Sequence, residues 1–381
     1  MSARSSLREF IRQESSSGLL LIAGAALGLV LANLPTRNLY NNILDAGFTV
    51  GGGFFYLSLT TAKVINYLLM SIFFLVVGME IKRELISGHL SSKKSAIAPF
   101  IAAVGGMAIP ALLYLAIAGE GAGHGWAIPV ATDIALAVGV IALLGDRISF
   151  AMKTFLLALA VIDDIGAIAI IAFFYTDDLS LSWLLGGAVV YIAIILLFRA
   201  GVSNKFTTVL LALALWYCFY RAGIHPTLAG VLIGLALPQS EELEARLHPW
   251  SSFLVVPIFA LANTGVEISS TSLSAAVGSS IALAIFIALV VGKPLGIVLF
   301  TTFFSRLKVA QIPARNGKLD LLATGSAAGI GFTVSIFIAK LAFKDESLQD
   351  ISIVAVIAAS IVSGLFSFIF ARASWKPATS A

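Results

Sequence analysis

Two carboxylates, Asp163 and Asp164, stand side by side in ALAVIDDIGAIAIIAFFY, residues 158–175, an otherwise apolar stretch. An ionised carboxylate at the centre of a membrane helix costs about 3 kcal/mol on an insertion scale. Two further ionisable residues sit deep in apolar runs: Asp133 in GWAIPVATDIALAVG, residues 125–139, and Lys293 in GKPLG, residues 292–296. Together the four cost on the order of 10 kcal/mol. Structural polar contacts in membranes are normally made by the cheaper Ser, Thr, Asn and Gln. Ion pairs locking helices together do not explain the set, because three acids and one base leave carboxylates over. Neighbours on an α-helix project about 100° apart, so Asp163 and Asp164 do not face one ligand as an i, i+4 pair would. One can meet a partner helix, with Lys293 as the available cation, while the other faces a cavity. Burial disfavours the ionised form of a carboxylate and moves its protonation toward the pH of a cell. Such a group holds either a proton or a small cation, which is the chemistry of an exchanger.

The elements that position these residues are long and apolar. Of 381 residues, 59% are hydrophobic and 12% charged, about half the charged fraction of a soluble domain. Apolar runs recur at about 18–34, 60–81, 95–118, 126–145, 150–175, 181–199, 204–220, 224–238, 251–266, 279–304, 319–340 and 351–371. Many reach the roughly 20 residues that span a bilayer. A membrane β-barrel would instead show alternating segments of about ten residues. The expected fold is an all-α integral membrane protein with about twelve transmembrane helices, forming a single polytopic domain over 1–381. With both termini cytoplasmic, 18 of the 24 Lys and Arg residues fall on the inner side, among them Arg4, Arg8, Arg12, Lys93, Lys94, Arg315 and Lys376. Five fall outside: Arg37, Lys63, Arg221, Lys340 and Lys344. This bias follows the positive-inside rule and favours an even number of spans. The net charge of +4 is therefore a topology signal, and no basic patch is interleaved with stacking aromatics as nucleic-acid binding requires. The single cysteine, Cys218, excludes an intrachain disulfide. The basic start reads as a retained first helix, since eleven more spans follow.

Two stretches suggest where a cavity opens. Pro129 interrupts the fourth run just before Thr132 and Asp133, and proline removes a backbone donor and disrupts the preceding turn. The eleventh run, LLATGSAAGIGFTVSIFIA at 321–339, carries Thr324, Gly325, Ser326, Gly329, Gly331, Thr333 and Ser335. Its small residues fit a close-packing face. Paired with an interrupted fourth span, they read as two broken helices that cross. Broken helices at matching places in two repeats point to a transporter's ion site. The two spans are the middle members of blocks about 95–175 and 279–371, which have opposite orientation as an inverted repeat requires. Crossed half-helices bring partial charges of about half a unit to the mid-membrane. Asp133 is placed to offset the positive ends and Lys293 the negative ones. Separately, GFTVGGGFFYLSLT at 47–60 alternates around glycines and reads as an outer hairpin.

The segments VIDDIGAIAII, AIPVATDIALAVG, GKPLG, GIGFTVSIFIA, MEIKREL and LHPW resemble the motifs of the NhaA family of bacterial sodium–proton antiporters. The resemblance runs from about residue 15 to residue 372, and the combination of DD, ATD and GKPLG is highly specific. It implies an electrogenic exchanger in the bacterial inner membrane that expels Na⁺ or Li⁺ and admits more than one proton per ion, with no resident cofactor. By the same resemblance Asp164 is the chief ion and proton carrier. Asp163 pairs with Lys293 and takes part, while Asp133 and Thr132 belong to the broken-helix assembly, Thr132 as a candidate ligand of the transported Na⁺. Family members are switched on by alkaline pH. The matching cluster here is Glu80, Arg83 and Glu84 with Glu244 and His248, and a solvated helix end with anchoring bases is the plainer reading of the same residues. His225, in GIHPTLAG, is a further pH-response candidate, against the plainer role of a cap or packing residue. The resemblance also implies a homodimer joined through the 47–60 hairpin, with an interface region of about 18–90 and 181–266. Two departures from the family pattern are Ala245, where a second histidine is expected, and Tyr67, where an acidic residue is common.

Other functions fit less well. An intramembrane aspartyl protease needs aspartates from separate helices sharing a proton, and the chain has no GxGD motif. Nothing resembles a channel filter. The remaining alternative is a sodium-coupled solute symporter on a related broken-helix fold.

Overall fold

The computed structural model describes residues 3–374 except 53–54, 177, 202–203 and 313–316. Arg315 and Lys376, and Gly53 and Phe54 of the expected hairpin, lie outside the described residues. In chain order the helices are α1 (Ala3–Asn33), α2 (Arg37–Asp45), α3 (Thr61–Lys63), α4 (Met70–Ile86), α5 (Lys93–Ile117), α6 (Ile134–Leu143), α7 (Phe150–Phe174), α8 (Leu181–Arg199) and α9 (Lys205–Ala222). They continue with α10 (Thr227–Ala236), α11 (Glu241–Trp250), α12 (Val256–Asn263), α13 (Ser270–Gly278), α14 (Ser280–Ile287), α15 (Lys293–Arg306), α16 (Lys318–Ala328), α17 (Phe332–Ala342) and α18 (Glu346–Ser374). Strands β1 (Gly47–Gly52) and β2 (Phe55–Thr60) pair antiparallel from Gly47↔Thr60 to Gly52↔Phe55, the hairpin expected there.

Among the described residues nine helices are long and apolar enough to cross a membrane, and ten if the bent pair α16 and α17 counts as one. Their exposed side chains are apolar, as at Phe173, Leu185, Val189 and Ile361, which suits contact with lipid. Two of the twelve expected spans fall outside that set. One is α9, whose second half carries Trp216, Tyr217, Tyr220 and Arg221. The other is α10, which has 10 residues, half the length a bilayer requires. His225–Pro226 and Leu237–Pro238 bound it, and the residue before a proline disfavours helix.

The chain divides into two compact units: Met1–Leu19, His89–Ala167 and Ile268–Ala381 in the first, Leu20–Gly88 and Ile168–Glu267 in the second. In each, glycine lets helix backbones touch. In the first unit, a Cβ at Gly296 of α15 would stand 2.1 Å from the Gly105 carbonyl oxygen of α5. In the second, a Cβ at Gly230 of α10 would stand 2.1 Å from the Ser71 carbonyl oxygen of α4. With lipid as apolar as the core, helix association in membranes rests on such close van der Waals contact. Gly296→Val must therefore separate α5 from α15. We expect it to lower the unfolding temperature in detergent and to destabilise by about 1–3 kcal/mol or more; an unchanged melting curve would show that this contact does not hold the pair together.

Among the described residues three π-helical turns interrupt the helices, at Val64–Leu69, Ser251–Val255 and Ala288–Gly292. The second and third end two residues before Pro257 and Pro294. Proline has no N–H and its ring crowds the carbonyl four residues back, and a widened turn relieves both. The first has no proline after it; there the Tyr67 carbonyl accepts from Ser71 Oγ at 2.5 Å and Trp216 Nε1 at 3.0 Å.

Two further runs are broken outright. The fourth is a 3₁₀ helix at Gly123–Val130, then non-helical residues 131–133, then α6. In the eleventh, α16 ends at Ala328, and α17 leaves it at an angle of 50° across residues 329–331.

Candidate functional site

Both breaks lie in the first unit, and side chains tie them together. Asp133 ends the non-helical stretch as N-cap of α6, its Oδ1 accepting the Leu136 N–H at 3.0 Å. Its Oδ2 accepts from the Thr333 N–H at 3.0 Å and from Thr333 Oγ1 at 2.5 Å. One carboxylate thus serves the first turns of both α6 and α17, where unpaired N–H groups and the positive ends of the helix dipoles lie. The Asp133 N–H donates to the Ile330 carbonyl at 2.7 Å, and Ser335 Oγ donates to the Ile128 carbonyl at 2.7 Å.

The opposite helix ends present carbonyls. The Val130 carbonyl, last of the 3₁₀ helix, accepts from Lys293 Nζ. The Ala328 carbonyl, last of α16, accepts from Thr132 Oγ1 at 2.9 Å. Lys293 Nζ also lies 2.7 Å from Asp163 Oδ2, and that oxygen is 2.7 Å from Thr132 Oγ1. The Thr132 hydroxyl has one proton for these two acceptors. Lys293, Asp163 and Thr132 are each 0% exposed, so the ion pair is fully removed from solvent. Asp163 Oδ1 has no hydrogen-bond partner among the described residues. Asp164, next on the same helix, is 7% exposed and within electrostatic reach of Lys293. Lys293 is delivered by the π turn Ala288–Gly292 directly before it, and its stem passes Gly106 of α5, where a Cβ would stand 3.9 Å from Cε.

The structure therefore gathers Thr132, Asp133, Asp163, Asp164 and Lys293 around the two breaks. Thr333 and Ser335, read from sequence only as polar residues of a flexible span, are fixed partners in the same assembly. Asp133→Ala removes the cap from two helices at once, and one lost cap costs about 1 kcal/mol. We expect a lower unfolding temperature and a raised apparent sodium KM, with Thr132→Ala milder in both. Both parameters unchanged in Asp133→Ala would mean that the breaks are held by other groups.

The remaining candidates lie in the second unit. Arg83 of α4 is paired with Glu244 of α11. Glu80, one turn earlier, has its carboxylate 3.5 Å from His248 Nε2. Glu84 is buried at 7% exposure. The cluster is thus a two-helix contact with four members paired across it, more than a solvated helix end. His225 is buried, with Nδ1 2.7 Å from Thr227 Oγ1 and its ring edge-on to Tyr67 at 4.9 Å. Tyr67, the departure noted above, is therefore a packing partner of that histidine. Sequence reading missed the reciprocal amide pair of Asn66 and Asn263, bonded at 3.1 and 2.8 Å, and Asp320, buried in the first turn of α16.

Comparison with known proteins settles the family. The family model described as Na⁺/H⁺ antiporter 1 matches residues 8–370. The chain belongs to this antiporter family. Among its relatives is the Na(+)/H(+) antiporter NhaA of Yersinia enterocolitica, 44% identical over 96% of this chain and 96% of the relative. The protein of the same name in Escherichia coli is 42% identical over 97% and 99%. The Na(+)/H(+) antiporter NhaA 1 of Clostridium beijerinckii is 42% identical over 94% and 92%. The Na⁺/H⁺ antiporter 1 family is one of transporters, and membership together with the nine apolar helices makes this a multi-pass membrane protein. The alternative of a sodium-coupled solute symporter has no support among these relatives.

Proposed function

We propose that this protein exchanges Na⁺, and also Li⁺, for protons across the bacterial inner membrane, with both termini cytoplasmic. The observation that carries the mechanism is the buried carboxylate pair beside two broken helices, with one lysine against one of the carboxylates. Asp164 holds a proton or the cation. When Na⁺ arrives, the Asp164 proton leaves and the carboxylate takes the ion. Asp163 Oδ1, which has no hydrogen-bond partner among the described residues, and Thr132 Oγ1 complete an oxygen set that suits a hard monovalent cation. A second proton, held by Asp163 in the sodium-free state, leaves as well, so more than one proton moves per Na⁺ and the exchange is electrogenic.

The finer architecture follows the same reading. The short α10 and the polar α9 complete a set of twelve spans. The blocks 95–175 and 279–371 form an inverted repeat whose middle members are the two broken, crossing helices. The cluster of Glu80, Arg83, Glu84, Glu244 and His248, with His225, senses pH: each histidine sits against a partner whose contact depends on its charge or tautomer. The β1–β2 hairpin, with Phe48, Val50, Phe55 and Tyr56 exposed, joins two protomers.

The test is exchange in reconstituted vesicles. A proton gradient is imposed, and a pH dye is followed while Na⁺, Li⁺, K⁺ or choline is added. Na⁺ and Li⁺ should collapse the gradient and K⁺ and choline should not. Indifference to Na⁺ would exclude the proposal.

A further inference from the structure

A two-stranded hairpin is marginally stable by itself, and each strand presents an edge of backbone N–H and C=O groups to whatever lies beside it. In β2 that edge is taken. The Tyr217 hydroxyl of α9 accepts from the Tyr56 N–H at 3.0 Å and donates to the Tyr56 carbonyl at 3.4 Å. The Tyr220 hydroxyl accepts from the Ser58 N–H at 3.3 Å and donates to the Ser58 carbonyl at 3.0 Å. A residue of a neighbouring antiparallel strand exchanges the same two bonds. The spacing permits the substitution. Tyr217 and Tyr220 are i, i+3 neighbours on one helix face, about 5–6 Å apart. Tyr56 and Ser58, two apart on the strand, turn to the same side about 6–7 Å apart.

The rings are held too. Tyr217 stacks on Phe55 of β2 at 4.9 Å between centroids and meets Trp183 of α8 edge-on at 5.4 Å. Tyr220 stacks on Trp216 at 5.7 Å, whose Nε1 bonds the Tyr67 carbonyl. Arg221 Nη1 donates to the Tyr217 hydroxyl at 3.1 Å, with its guanidinium 4.9 Å from the Trp183 ring centroid. That hydroxyl then accepts twice and keeps its one proton for the Tyr56 carbonyl. β2 therefore lies between β1 on one side and two tyrosines on the other, while all six residues of β1 are exposed.

We infer that Tyr217 and Tyr220 are positioning residues for the contact between protomers: standing in for a third strand, they fix the hairpin to α9 and withhold its β2 edge from any other chain. They act on that contact through the hairpin. A hairpin with one edge anchored on a membrane helix offers its exposed residues in one orientation, so less freedom is lost when a second copy binds. The role rests on the proposed dimer, whereas the grip on β2 does not.

The test uses the full-length protein in detergent and the double variant Tyr217→Phe with Tyr220→Phe. Phenylalanine keeps the ring stacking and removes only the two hydroxyls, so the fold is preserved. Amide hydrogen exchange of the 55–60 segment should rise about three- to tenfold, the value of one lost hydrogen bond for each amide. Exchange unchanged in that segment would overturn the grip, whatever the oligomeric state. Native mass spectrometry reads the second arm, with the wild-type dimer as the control for the dimer reading. The dimer dissociation constant should rise in the variant by a similar factor of about three to ten. Faster amide exchange with an unchanged dimer would overturn the positioning role and leave the grip. A monomeric wild-type protein would overturn the dimer reading and the positioning role together.

Discussion

Asp164→Asn abolishes sodium-dependent proton movement and leaves helix content and expression nearly unchanged. The substitution keeps size and hydrogen-bonding capacity and removes only the titratable charge. Asp164 is buried one position from the Asp163–Lys293 pair, and successive residues project about 100° apart. It is therefore not the acid bonded to the lysine, and the pair should stay intact in the variant. Dye-monitored exchange in vesicles together with circular dichroism checks both halves. Robust exchange in Asp164→Asn would remove Asp164 from the carrier role. Asp163→Asn, which also strips the lysine of its counter-charge, should be severely impaired and less stable.

Lys293→Gln lowers stability strongly and leaves any surviving exchange electrogenic. Removing one member of a buried ion pair typically costs about 3–5 kcal/mol, because the other charge stays buried without compensation. Two acceptors are at stake: the anionic Asp163 carboxylate and the Val130 carbonyl at the negative end of the 3₁₀ helix. Glutamine can still donate to that carbonyl but cannot carry a proton. With Lys293 as fixed partner, the two aspartates supply the protons and sodium-evoked currents persist. With Lys293 as carrier, the variant moves one proton fewer per ion, and the currents vanish while tracer exchange continues. Currents on a solid-supported membrane, read beside tracer sodium uptake, separate the two. We expect currents.

The residues that carry charge were legible in the sequence, because an ionised side chain in an apolar run stands out against its cost. Asp133, Asp163, Asp164 and Lys293 all announce themselves in that way, and Pro129 marks the first break by its missing donor. The hydroxyl partners were not legible. Thr333, Ser335, Ser326 and Thr324 share one run and look alike, yet Thr324 bonds its own helix while Thr333 reaches a carboxylate 200 residues away. Nothing local separates a hydroxyl that turns back from one that crosses. The π turn before Lys293 was hidden for a related reason: Pro294 was visible, but whether a helix kinks, breaks or widens at a proline depends on what receives the freed carbonyl. That Gly329 packs against the Leu289 carbonyl beside this turn shows only in the fold. In the second unit, the motif MEIKREL showed Glu80 and Glu84 on one helix face, while their distant neighbours Glu244 and His248 entered only through family resemblance.

The most direct measurement is proton release on sodium binding to the purified protein in weakly buffered solution. If the same carboxylates hold either the proton or the ion, adding Na⁺ releases protons, and Asp164→Asn releases fewer or none. The apparent sodium affinity then falls with acidification, by about tenfold per pH unit for each proton displaced once the carboxylates are mostly protonated. Sodium binding that releases no protons, or an affinity independent of pH, would contradict exchange at this site.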